Sequence, residues 1–226
     1  MPLILLLVLF FLLPGTAYTN TNTDTLPYPT HTRIIIYQDK NGGKGHVTVK
    51  NPGKHAWLFQ SWIEDELGIK HPYVYPEISR IEPFSSKRLS ISLLDNMWKM
   101  DREDVSWLIV RFIPLMESEP NKNRVVIPLS FRLKVFTRPT TISPYLTPVL
   151  RCMRGDSGGI QIANDGKHHL SLISIMDKNN KIIIEKPGML PPGGTIESKT
   201  AYKTGEYYLF YIDDDGIKQE INMLCH

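Results

Sequence analysis

A chain of 226 residues of which 42% are hydrophobic can fill one large β domain or two of roughly 100 residues each, and is neither disordered nor minimal. Its formal charge of +3, from 26 basic and 23 acidic residues, contains no polybasic block. That excludes the electrostatic footprint of a nucleic-acid binder.

The chain opens on MPLILLLVLFFLL, followed by Pro14, Gly15, Thr16 and Ala17. The run is short for a membrane span, which needs about 20 apolar residues, and Gly15 and Ala17 set small side chains where a signal peptidase reads. Residues 1–17 are therefore expected to be a secretion signal cleaved after Ala17. No Lys or Arg precedes the run, so a retained membrane anchor is the competing reading. Residues 18–32, rich in Thr, Asn and Pro and without periodicity, read as a flexible mature N-terminus.

Short β-type runs follow, separated by turns. RIIIY at 33–37 leads through Asn41, Gly42 and Gly43 to HVTVK at 46–50, then through Asn51, Pro52 and Gly53 to HAWLFQSWIED at 55–65. The last carries Trp57 and Phe59 on one face and Leu58 and Trp62 on the other, as a central strand would. Further strands are expected at 73–75, 78–81, 88–92 and 105–113, punctuated by Pro72, Pro76, Pro83 and Pro114. RVVIPLSFRLKVF at 124–136 has the cleanest alternation, with Val125, Ile127, Leu129, Phe131, Leu133 and Val135 all on one face. Pro128 lies inside it with no N–H to give, which is tolerated on an edge strand or at a bulge. A long apolar edge recruits other strands. Either it is covered within the molecule, or recruitment is its purpose.

After Arg138 and Pro139 the pattern resets. Residues 140–148 hold two prolines and read as a linker, and β-type runs resume at 160–162, 169–176, 181–185, 206–212 and 217–224, with turns at 177–180, 191–194 and 213–216. No amphipathic helix of three turns appears. The expected fold is all-β, with one sandwich over 33–139 and a smaller one over 140–226. In an exported chain Cys152 and Cys225 are free to pair, which would staple the last strand to the first strand of the C-terminal half; two buried free thiols are the alternative.

GDSGG at 155–159 matches the nucleophile segment of trypsin-like serine proteases and would make Ser157 the nucleophile of an exported hydrolase. That chemistry needs a histidine base and a buried aspartate earlier in the chain. His31, His46, His55 and His71 lie upstream, none in an Ala-Ala-His-Cys setting, and no proline follows Gly159. A turn into the next strand is the plainer reading. His168 and His169 adjoin on a strand and point to opposite faces, so they cannot chelate together. Arg154, Gly155 and Asp156 form a three-residue adhesion match too common to weigh. The expectation is a protein that is not an enzyme, with no metal, cofactor or small-molecule substrate.

In order and spacing, a further set of motifs resembles the PapD-like family, the periplasmic chaperones of chaperone–usher pilus assembly. They are TRIIIY at 32–37, residues 47–51 leading into WLFQSWIED, ISRIEP at 78–83, DREDVSWLIVRFIP at 101–114, LKVFTRP at 133–139 and YIDDDG at 211–216. The resemblance covers most of the chain after the leader. It implies two immunoglobulin-like β-sandwich domains at an angle around a cleft that binds pilus (fimbrial) subunits, each an incomplete sandwich waiting for a strand. By that likeness Val125, Ile127 and Leu129 are the donated side chains, Arg33 and Lys134 hold the subunit's terminal carboxylate, and Glu103, Arg138 and Asp214 fix the angle between domains. On residue type alone each of these charges reads as ordinary solvated surface. The likeness also implies an outer-membrane usher as second partner and leaves open a self-capping dimer. The connection at 115–123, short and without cysteine, looks like the branch that serves rod-forming pili. A structural pilus subunit, the third reading, is normally one incomplete domain, which two complete sandwiches argue against.

Overall fold

The computed structural model describes residues 25–94, 98–115 and 125–226. The expected secretion signal, residues 18–24 of the N-terminal tail and residues 116–123 of the connection lie outside the described residues. The rest of the tail, expected to be flexible, is instead held in place, with Tyr28 and Pro29 pairing antiparallel with Lys50 and Val49. Within the described residues the chain forms seventeen strands and no helix. Two separate apolar cores hold it together. The first includes Ile34, Ile36, Val47, Phe59, Leu89, Leu108, Phe112 and Val135; the second includes Ile160, Ile162, Leu170, Ile175, Leu209 and Met223.

In the first sandwich, β2 (Arg33–Asp39) serves both sheets. Its residues 33–37 pair in parallel with β10 (Leu129–Arg138), and residues 38–39 pair antiparallel with β3 (Gly42–Asn51). Gly42 makes the switch possible. Its φ is +109°, and a Cβ there would lie 2.0 Å from the Leu93 carbonyl oxygen, a position only glycine tolerates. The stretch with aromatics on both faces is a central strand, as expected: β4 (Trp57–Glu64) has β9 (Asp104–Pro114) on one side and β5 (Lys70–His71) and β7 (Ile78–Ile81) on the other. β3 pairs with β8 (Ser85–Leu93) to form the opposing sheet.

The second sandwich sets β11 (Leu150–Arg154), β12 (Gly159–Asn164) and β15 (Thr195–Ala201) against a sheet ordered β14 (Ile182–Leu190), β13 (Leu170–Asp177), β16 (Gly205–Ile212) and β17 (Lys218–Cys225). Two strands depart from expectation. β15 had no clear alternation to announce it. β14 runs on past 185 through Pro187 and Gly188, which usually stop a strand. It is an edge strand whose register slips against β13 between Leu172 and Ser174 and again between Ile175 and Met176. Edge positions and bulges are where a ladder accommodates both residues.

Cys152 on β11 and Cys225 on β17 form a disulfide with their Cα atoms 5.0 Å apart. It joins the two sheets of this sandwich and closes a sequence separation of 73 residues, which restrains the unfolded chain by roughly 4 kcal/mol in the loop-entropy view. Replacing both cysteines by serine is expected to lower stability by about 2–4 kcal/mol, read as a lower midpoint of denaturant unfolding. An unchanged midpoint and slope would show that the bond contributes nothing.

Candidate functional site

β10 is open along half its length. It pairs antiparallel with β9 from Leu129 opposite Phe112 to Thr137 opposite Asp104, whereas β2 joins its other side only from Lys134 opposite Arg33 onward. Residues 129–133 thus have one neighbouring strand, with no second among the described residues. The ladder is shorter at its start than the alternation predicted, beginning at Leu129 instead of 124, and it extends two residues further, to Arg138. Prolines account for the late start. Extending the register backwards would set Pro128 opposite Ile113 and Ile127 opposite Pro114, and neither proline has an N–H to contribute.

Along the alternating face, exposure falls steadily. Val125 is 83% and Ile127 76% exposed, Leu129 and Phe131 are half-buried against the first core, and Leu133 and Val135 are inside it. The Phe131 ring meets Phe112 edge-on at 6.0 Å. The inner end of the strand is therefore anchored, while its outer end shows aliphatic side chains to water beside an unpaired backbone edge.

Lys134 and Arg33 are cross-strand partners, and their side chains point away from the first core towards the second sandwich. Lys134 Nζ donates to Ser171 Oγ at 2.8 Å on β13. Arg33 Nη1 donates to the carbonyl oxygen of Ile212 at 3.0 Å and to that of Asp213, while Arg33 Nε is buried with no partner among the described residues. Burial depresses the pKa of both groups. The Arg33 charge depresses Lys134 further, whereas Asp214, Asp213 and Glu103 pull Arg33 partly back. Two partly desolvated cations side by side, neither bonded to a carboxylate among the described residues, favour an anion with two acceptor oxygens.

The three charges expected to meet do so. Arg138, 2% exposed at the end of β10, donates from Nε to Glu103 Oε2 at 2.6 Å and from both terminal nitrogens to Asp214, at 2.7 and 2.6 Å. Arg138 Nη1 also donates to the Pro144 carbonyl at 2.7 Å. Glu103 Oε1 accepts the backbone N–H of His169 at 2.8 Å and lies 3.1 Å from its Nδ1. Burial works against the Arg138 charge, but its hydrogen bonds to Asp214 and the field of Glu103 outweigh it and hold its pKa above the ordinary value. Contacts of this kind tie segments of the first sandwich to the strand 170–177 and the turn 213–216 of the second. A buried charge stripped of a partner is costly, so the cluster favours one arrangement of its segments.

Ser157 sits in the turn between β11 and β12, far from catalytic chemistry. Its N–H and that of Gly159 both donate to Glu197 Oε1 at 3.0 Å, and its hydroxyl lies 3.4 Å from Glu197 Oε2. Gly158 at φ +78° completes the turn. A carboxylate from β15 takes the Ser157 N–H and the Gly155 N–H is spent on Gly159 O at 2.9 Å, the two donors such an enzyme would aim at its oxyanion. The hydroxyl has no histidine partner among the described residues; the hydrolase reading is not supported. His168 and His169 part company, the first bonding Ser143 O at 2.9 Å and the second Glu103. Ser171, the Ile212 and Asp213 carbonyls, His169 and Glu197 were not expected from the sequence. Each lies far along the chain from its partner, and no local pattern marks it.

Two immunoglobulin-like sandwiches bonded to each other through Arg33, Lys134 and Arg138, with an apolar strand left half-paired beside them, are the architecture of a pilus-assembly chaperone. The chain belongs to the family of pili and flagellar-assembly chaperones, whose PapD N-terminal domain model matches residues 28–143. Protein FasE of Escherichia coli is 39% identical over 111 residues, covering 48% of this chain and 80% of FasE. The probable fimbrial chaperone LpfB of Escherichia coli O157:H7 is 29% identical over 169 residues, covering 73% of this chain and 72% of LpfB. A solved chain from the Salmonella enterica SafA pilin in complex with the SafB chaperone matches with a TM-score of 0.74 over 89% of this chain and 98% of its own length, at 18% identity, a likeness of fold. The family is one of chaperones, not enzymes.

Proposed function

We propose that this protein is a periplasmic chaperone that binds, folds and caps pilus subunits by lending them the open edge of β10, then passes them to an outer-membrane usher. The observation that carries this reading is the edge itself, paired by β9 alone over residues 129–133 and continued by Val125 and Ile127 in water. Burying the exposed Val125 and Ile127 in a subunit's groove is worth roughly 3–6 kcal/mol, with less from Leu129, which is already half-buried, and each backbone hydrogen bond adds about 1 kcal/mol. Val125, Ile127 and Leu129 thus supply most of the affinity, and the backbone sets direction and register.

In this reading Arg33 and Lys134 receive the subunit's terminal carboxylate, and Glu103, Arg138 and Asp214 hold residues 33–139 and 140–226, the two domains, at one angle. Residues 1–17 direct export, and the disulfide suits an oxidising compartment. The connection at 115–123, short and without cysteine, is in keeping with the branch that serves rod-forming pili. All the chemistry is binding; no bond is made or broken.

Co-expression with a pilus subunit, followed by purification from periplasmic extract, should yield an equimolar complex. A subunit that is degraded to the same extent with and without this protein would overturn the proposal. Ser157→Ala should leave capture at the wild-type level, since Ser157 serves only the 155–159 turn. A hydrolase activity present in the wild type and absent from that variant would reinstate the enzyme.

A further inference from the structure

Four residues around the cleft form a closed set. Lys134 and Arg33 are cross-strand partners in the first sandwich, and Ser171 and Ile212 are cross-strand partners in the second. Each pair reaches across to the other, Lys134 Nζ to Ser171 Oγ and Arg33 Nη1 to Ile212 O. Ser171 is only 6% exposed, so its hydroxyl is held in place. An oxygen that accepts a hydrogen bond from an ammonium keeps its own O–H. That hydrogen has no acceptor among the described residues.

A carboxylate offers about four lone-pair sites. Arg33 Nε, buried and without a partner among the described residues, and the remaining N–H groups of Lys134 are donors for it. We propose that Ser171 is a third ligand of this anchor, its hydroxyl donating to a peptide C-terminal carboxylate that Arg33 and Lys134 hold. The proposal rests on the reading of Arg33 and Lys134 as a carboxylate anchor. Its consequence is that the terminal carboxylate is gripped from both sandwiches at once. A carboxylate presented to one sandwich alone loses a donor.

The test uses acetate as probe and the full-length protein, with NMR signals of the Lys134 ammonium and the Arg33 Nε–H as site-specific readouts. In the wild type acetate should shift both signals, and acetamide should not. Ser171→Ala should weaken acetate binding about 10- to 100-fold, the size of one hydrogen bond to a charged group, and Ser171→Thr should restore it. Equal acetate affinity in wild type and Ser171→Ala would overturn the proposal and leave the anchor standing, even if the Lys134 signal moved in the free variant, since the hydroxyl would then merely orient the ammonium. Acetate that shifts neither signal in the wild type would overturn the anchor beneath it.

Discussion

Lys134→Ala is expected to abolish subunit capture while the chaperone remains folded. In the free protein the Lys134 ammonium bonds to Ser171 and faces Arg33, and burial together with that neighbouring charge lowers its pKa. Removing it therefore relieves a desolvated cation and a like-charge contact, and folding loses little. Capture loses one of two charges that meet a carboxylate in a site partly closed to water. Truncating one side of such a pair costs about 3–5 kcal/mol, or roughly 10²–10³-fold in affinity at 1.4 kcal/mol per decade. Co-purification and titration of the purified variant with subunit would measure it; wild-type yield would remove Lys134 from the anchor.

The same residue sets an alkaline limit. Because its folded pKa lies below the ordinary 10.5, the free protein binds fewer protons here than the unfolded chain between those two values, so this group's contribution to stability rises with pH across that window. Capture runs the opposite way, since the carboxylate needs the ammonium. Binding should fall as pH passes through the lowered pKa, and Lys134→Arg, which keeps its charge, should shift the fall to higher pH. Identical profiles for the two proteins would mean that the ammonium is not what the carboxylate meets.

Much of this was legible because it is periodic. The alternation from Val125 to Val135 predicted one apolar face, and the structure buries that face progressively from Leu129 inward. Pro128 in that run pointed to an edge, and the edge is there, although two prolines delay the ladder's start. Residues 55–65, with aromatics on both faces, became the central strand. What was not legible depends on the meeting of distant segments. Lys134 lies on the opposite parity to the apolar face, and only the arrival of β13 explains why that side is also covered. Ser171 is one of several serines with nothing local to distinguish it. Glu197 reaches the GDSGG turn from a strand with no clear pattern, so the sequence could favour a turn there over a nucleophile but could not show which carboxylate clasps it. Arg138, Glu103 and Asp214 had to be brought together by likeness, since no spacing rule relates positions 103, 138 and 214.

Ile127→Asp separates strand lending from every other source of affinity. Ile127 is 76% exposed and precedes the first ladder residue of β10, so a carboxylate there meets water in the free protein and stability should change by less than about 0.5 kcal/mol. In a subunit's groove the same change removes a buried aliphatic side chain, worth about 1.5–3 kcal/mol, and forces an unpaired carboxylate out of water, which costs several kcal/mol more even after relaxation. Capture should drop by more than about 10³-fold, with Arg33, Lys134 and the second sandwich untouched. Ile127→Val, which keeps the shape and most of the apolar area, should lose only about 0.5–1.5 kcal/mol. A graded loss from Val to Asp, read by co-purification and by unchanged unfolding of the free variants, places the side chain inside the partner. If Ile127→Asp still held its subunit at wild-type yield, the exposed aliphatic residues would lie outside the complex, and the partner would be bound by the cation pair alone.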